Sequence, residues 1–143
     1  MRALLLSLIA VAFVFVSCKK YPDGPDISLR SKTERLANTW QIDVWFENGV
    51  NKTTDAKNVY KDYTMIIDKA GSYSTTFKWL GILPHSESGT WSFNGDKSKV
   101  VFTKTTPEPS TTSEWTILKL MENDLWGQFE DSSKVIKVQL KPY

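Results

Sequence analysis

From Thr39 to the end of the chain, apolar and polar residues alternate with a period of two, run after run, and no long helical stretch interrupts them. A period of two belongs to a strand with one face buried and one face wet. Trp40, Ile42, Val44 and Phe46 alternate with Gln41, Asp43 and Trp45. Tyr63, Met65 and Ile67 form a second run, and Tyr73, Thr75, Phe77 and Trp79 a third. Trp91 with Phe93, then Val100 with Phe102, continue the series. Three further runs cover 114–121, 125–130 and 135–140. Turn chemistry separates them: Lys69-Ala70-Gly71, Asn94-Gly95-Asp96-Lys97, Glu122-Asn123-Asp124 and Asp131-Ser132-Ser133. Three longer polar or broken segments, 47–59, 80–88 and 105–113, read as loops.

About eight strands in succession with mostly short connections predict an all-β antiparallel meander. Eight such strands close into an up-and-down barrel, which removes exposed sheet edges. A two-sheet sandwich is the alternative. A transmembrane barrel would need an apolar outer band, whereas the alternate faces here carry Lys, Asp, Thr and Ser. Ahead of the strands, residues 28–38 read as a short helix. Ser28 or Asp26 is placed to cap it, Ser31 and Glu34 have capping-box spacing, and Leu29 and Leu36 share a side.

The N-terminus decides location. Arg2 precedes an uncharged run over 3–16. Those 14 residues fall short of the roughly 20 that span a bilayer, but they suit the core of a signal peptide. The run ends at Phe15-Val16-Ser17-Cys18, after which the chain turns polar. This resembles the lipobox of bacterial lipoproteins, and Cys18 is the only cysteine in the chain. The expected organisation is a signal peptide over 1–17, a lipidated tether over 18–27 containing Pro22, Gly24 and Pro25, and a barrel domain over 28–143. Cys18 would carry the lipid anchor, and the expected location is the bacterial cell envelope, at the outer membrane. Two or more acyl chains hold a protein stably on a bilayer where one does not.

Composition narrows the chemistry. With a formal charge of +2, general attraction to nucleic acid has little support. One histidine and one cysteine argue against a zinc site of His/Cys type. His85, Ser86 and Glu87 stand too close in sequence to resemble a triad assembled from distant segments. Asp43 and Glu47 on one strand would lie about 13 Å apart, beyond the separation used by glycosidases. Nothing requires a cofactor, and no catalytic residue is expected.

The residues from about 33 to 143 resemble the lipocalin-like lipoproteins of Bacteroidetes. Four motifs carry the resemblance. Leu36-Ala37-Asn38-Thr39-Trp40 is similar to that family's L-x-G-T-W entry to the first strand, and Asp68-Lys69-Ala70-Gly71-Ser72-Tyr73 to its D-x-x-G-x-Y hairpin. Gly89-Thr90-Trp91-Ser92-Phe93 is similar to its G-x-W-x-F strand. Trp115-Thr116-Ile117-Leu118-Lys119-Leu120 with Asp124-Leu125-Trp126 is similar to its closing hairpin. The last strand has Lys137 and Lys141 where lipocalins proper often carry an arginine over the first-strand tryptophan. The resemblance implies a calycin-type barrel with a possible small apolar ligand and no catalysis.

Within such a barrel, Trp40 and Trp91 are expected to fill a closed floor. Phe46, Tyr63, Tyr73, Phe77, Trp79, Phe93, Phe102, Trp115 and Phe129 also have inward parity. Trp45 and Trp126 have the opposite parity and are expected outside, covered by the helix or by a partner. The loops at 47–59, 80–88 and 105–113 should gather at the open end. The expected ligand contacts are Phe46, Trp79, Leu80, Ile82 and Leu83. An exposed tryptophan would instead suit a glycan- or protein-binding accessory module, and an envelope protein partner fits the expected location. Cys18→Ala should release the domain from the membrane fraction without unfolding it. Retention of that variant on membranes after a carbonate wash would refute the anchor.

Overall fold

The strands pair in the order in which they occur, and the first then pairs with the last. A computed structural model describes residues 29–143. The signal peptide over 1–17, the tether over 18–27 and Cys18 lie outside the described residues. The elements are α1 (Lys32–Leu36), β1 (Thr39–Glu47), β2 (Val50–Asn51), α2 (Thr53–Val59), β3 (Tyr60–Ile67), β4 (Ser72–Trp79), β5 (Leu83–Phe93), β6 (Lys99–Thr106), β7 (Thr111–Leu120), β8 (Leu125–Asp131) and β9 (Lys134–Pro142). Antiparallel ladders run from β3 to β9 without a crossover, and β1 pairs with both β3 and β9. The result is a closed barrel of eight strands, with β2 as a short ninth strand beside β1. The sandwich alternative falls with the β1–β9 ladder, which runs from Trp40 opposite Pro142 to Glu47 opposite Ile136.

One end of the barrel is packed solid. Leu36, Trp40, Val100, Leu120 and Leu125 are fully buried there. Most polar groups that enter this floor find partners; the Arg35 Nε is buried without one. The Trp40 indole N–H donates to the Leu36 carbonyl at 2.9 Å, and the Trp91 indole N–H to the Asp68 carbonyl at 2.8 Å. Arg35 is buried under α1 and its Nη1 donates to the Leu120 carbonyl at 2.7 Å. The helix therefore supplies an arginine at the closed end.

α1 is shorter than expected. Ser31 is its N-cap and forms the capping box with Glu34, while Ser28 and Asp26 lie outside the described residues. Leu29 is fully exposed ahead of the helix, whereas Leu36 is buried. The helix ends early because Ala37 and Asn38 extend to feed β1, and the Asn38 carboxamide oxygen accepts from the Thr39 N–H.

The expected loop at 80–88 is a turn of three residues, after which β5 begins at Leu83. Pro84 is tolerated within that strand, paired opposite Lys78. The polar segment 47–59 folds into β2 and α2. Only Ala56 of α2 is buried, so its sequence carries no helical stripe.

Two irregularities reset which side chains face inward. In the β1–β9 ladder the register shifts between Ile42 and Val44, and in the β3–β4 ladder between Lys61 and Thr64. Each inserts one extra residue and reverses the alternation beyond it. Trp45 therefore turns into the barrel and Phe46 turns out, the reverse of the expectation from parity. Tyr60 joins Tyr63 on the inner side for the same reason.

Core aromatic-to-Ala changes cost about 3–5 kcal/mol. Trp40→Ala should lower the melting temperature by at least about 10 °C, while Trp126→Ala on the outer wall should shift it little. A Cβ at Gly127 would lie 2.7 Å from the Trp115 ring, so Gly127→Ala should also destabilise. Thermal melts of the three variants check the assignment, and equal small shifts for Trp40→Ala and Trp126→Ala would overturn it.

Candidate functional site

At the end opposite Trp40 the barrel is not filled. The β1–β3 connection, the β4–β5 turn, the β6–β7 loop and the β8–β9 turn all lie there, as strand direction in a meander requires. The three expected loop segments thus share one end. Between them lies a cavity of about 320 Å³. That is at the small end of the roughly 300–1,000 Å³ common for small-molecule sites.

Its wall is aromatic. Trp115 stacks on Phe129 at 4.6 Å, and Phe129 meets Trp45 edge-on at 6.2 Å. Trp45 then contacts Tyr60 at 5.5 Å, Tyr60 contacts Phe77 at 5.2 Å, and Phe77 contacts His85 at 4.5 Å. Six rings from six strands form a continuous row around most of the mouth. One level deeper, Tyr73, Phe102 and Trp115 pack at 5.1 and 5.3 Å. Gly127 makes room for the Trp115 ring, which a larger residue there would displace.

Few polar groups enter this wall. Thr75 is buried among the aromatics, and Ser113 accepts from the Trp115 indole N–H at 3.1 Å. The Tyr63 hydroxyl lies 3.6 Å from the Met65 sulfur. His85 Nε2 stands 3.9 Å from a Glu87 carboxylate oxygen, and Asp131 completes the mouth beside Phe129. The Trp45 indole N–H is buried with no acceptor. An unmet buried donor costs about 1–3 kcal/mol, and this one falls at the cavity wall and not in the floor.

Burial pushes the Tyr73 phenol up to about 12, and the charge of Glu87 adds to the shift. Tyr63 moves further in the same direction, from burial first and again with Glu87 contributing. Tyr60 is raised by burial, then by Asp131 and Glu47, against the opposing charge of Lys134.

The β1–β3 edge of the barrel is split. β3 pairs with β1 only at Thr39 and Trp40, and β2 takes over at Phe46 and Glu47. Between them, Thr53 Oγ1 accepts from the Trp45 backbone N–H at 3.0 Å, and the Lys52 N–H donates to the Trp45 carbonyl at 2.8 Å. A cleft of about 490 Å³ fills the split. Tyr60 and Tyr63 line both cleft and cavity, so they form the partition.

The expected contact residues fall around the cavity and not inside it. Phe46 is half-buried on the outer side, beside Lys137 and Asn51. Trp79 is 42% exposed on the rim, with its ring against Tyr60 and Phe77. Leu80, Ile82 and Leu83 are exposed on the β4–β5 turn. His85 is not in a loop but on β5, facing the mouth. Trp45, Tyr60, Glu87, Ser113 and Asp131 line the cavity and were not anticipated as contacts. Strict alternation hides Trp45 and Tyr60, and polar residues on the inner parity carry no local mark. Trp126 faces outward as expected, and the Lys119 and Lys137 ammonium groups lie over it, 4.5 and 5.5 Å from its ring centre. Asp43 pairs with Lys141 at 2.7 Å and Glu47 with Lys134 at 3.0 Å. Among the described residues no group of three His, Cys, Asp or Glu side chains is placed to hold a metal ion.

A closed eight-stranded meander with a helix across its packed end and a cavity at the other has the architecture of a lipocalin-like barrel. No family model matches the sequence, and no curated protein matches it. Among solved structures, the chain is similar to a lipocalin-like protein from Bacteroides uniformis ATCC 8492. Identity is 15% and the TM-score 0.49, over 76% of this chain and 99% of that one. It is also similar to an uncharacterized protein from Bacteroides eggerthii DSM 20697, with 10% identity and a TM-score of 0.47, over 75% of this chain and 98% of that one.

A phenol whose folded pKa is raised binds its proton more tightly when folded. Its contribution to stability is full below pH 10 and is lost as pH rises through the folded value. The melting temperature should therefore fall between pH 10 and 12, and Tyr73→Phe should lose less over that window. An equal fall in both proteins would refute the buried placement of the Tyr73 phenol.

Proposed function

We propose that this protein is a non-catalytic envelope lipoprotein, anchored through Cys18, whose barrel binds one small apolar or amphipathic ligand at its open end. The aromatic cavity carries the reading. A chain that needed only stability would fill both ends of the barrel, as it fills the end around Trp40. Instead the inner face at the mouth keeps a volume of about 320 Å³, walled by rings and a few polar groups. That combination is what small-molecule sites present: apolar walls for affinity and sparse polar groups for orientation. The anchor rests on Arg2, the uncharged run and Cys18. No helix of the described residues is long and apolar enough to cross a membrane.

A second reading draws on the rim. Trp79, Leu80, Ile82 and Leu83 expose 42–78% of their surface on one turn, an apolar edge suited to an envelope protein partner. In that case the barrel is an accessory module. The glycan variant of this reading is less supported, because lysines lie over the Trp126 ring.

Titration with 1-decanol, followed by tryptophan fluorescence, tests the ligand reading. Trp45 and Trp115 stand in the wall and should report a saturable change. Ser113→Phe fills the mouth and should abolish the response while the protein stays folded, and Trp126→Ala should keep it. No saturable response from the folded wild-type protein would refute an interior site.

A further inference from the structure

The charges that reach the cavity are both negative. Glu87 and Asp131 line it, and no lysine or arginine does. The chain as a whole is weakly basic, with 18 Lys and Arg against 16 Asp and Glu, so this bias is not inherited from composition. Two lysines near the mouth are engaged on the outer wall. Lys134 holds Glu47 at 3.0 Å, and Lys78 holds Asp62 at 2.8 Å. His85 supplies the one imidazole of the lining, and its Nε2 lies 3.9 Å from Glu87.

The carboxylates also act inward. Glu87 contributes to raising the phenols of Tyr63 and Tyr73, and Asp131 to raising that of Tyr60. The rings of Trp45, Tyr60, Phe77 and Phe129 surround the same space. Aromatic faces attract a cation within about 6 Å, and more strongly when water is excluded. A carboxylate head placed here would be desolvated beside two like charges, with no lysine or arginine among the lining residues to meet it.

We propose that the cavity selects an amphiphile with a cationic, amine-type head and an apolar body, and discriminates against anionic amphiphiles such as fatty acids. This rests on the ligand-binding reading above and sharpens it to a chemical class. The apolar body lies against Tyr73, Phe102 and Trp115. The head sits at the mouth, between the Glu87 and Asp131 carboxylates.

Three probes with the same ten-carbon chain separate the possibilities: decylamine, 1-decanol and decanoate. Each is titrated into the wild-type protein at pH 8 and low salt, below its micellar concentration, with binding read by tryptophan fluorescence and calorimetry. Decylamine should bind at least tenfold more tightly than decanoate, with decanol between them. The double variant Glu87→Gln, Asp131→Asn is nearly isosteric, and its melting curve shows whether it is folded. In it the amine preference over decanol should collapse to within about twofold, while decanol binding persists. Added salt should weaken the amine more than the alcohol. Decanoate binding as tightly as decylamine would overturn the charge inference and leave the cavity reading standing. An amine preference that survives in the folded double variant would overturn the role of these two carboxylates. Failure of all three probes to bind the wild-type protein would overturn the cavity reading itself, and this inference with it.

Discussion

β1 has to meet β9. A sheet of eight strands in sequence order leaves two edges of unpaired N–H and C=O groups, and the ladder from Trp40 to Glu47 removes both at once. Closure also creates the inside. Without it Trp40, Leu120, Leu125 and Leu140 would have no common volume to fill, and α1 would have no end to cover. The floor then locks the seam in return, because the Trp40 indole is tied to the Leu36 carbonyl and Arg35 to the Leu120 carbonyl. Helix, first strand and the β7 end are thus tied together at the closed end.

The two ends of the barrel are built on different terms. At the floor, large side chains interdigitate and each indole N–H finds a backbone carbonyl. At the mouth, rings line the wall without filling it, and the Trp45 N–H has no acceptor. Packing density at one end holds the strands so that the other end can stay hollow. The same β1 carries both, Trp40 at its start and Trp45 near its finish, with the bulge between Ile42 and Val44 separating the two regimes. The split beside β3 adds to the contrast, since α2 supplies through Thr53 the hydrogen bond that a neighbouring strand would have made.

Charge is sorted by face. Outside, Lys78–Asp62, Lys99–Glu114, Lys134–Glu47 and Lys141–Asp43 form cross-strand pairs. Exposed pairs of this kind contribute about 0–1 kcal/mol each, so their effect on stability is small. Their effect on the site is larger. They occupy four lysines on the outer wall, while the carboxylates of Glu87 and Asp131 face the lumen. A nearly neutral chain thereby presents a cavity of one sign.

Local pattern was enough for the strand count, the short turns, the capping box at Ser31 and Glu34, and the placement of Trp40, Trp91 and Trp115 on inner faces. These follow from the period of two and from side-chain chemistry within a few residues. The same reasoning put Phe46 inside and Trp45 outside, because alternation propagates parity only while the ladder is regular. One residue inserted at Asp43 reverses it, and that insertion is set by how β1 meets β9, nearly 100 residues away in sequence. Tyr60 depends likewise on the shift near Asp62. The helix α2 has no stripe to announce it, since it buries a single alanine. The cavity and its two carboxylates belong to no segment at all. His85, Glu87, Ser113 and Asp131 come from three strands, and only closure of the ring brings their inner faces to one mouth.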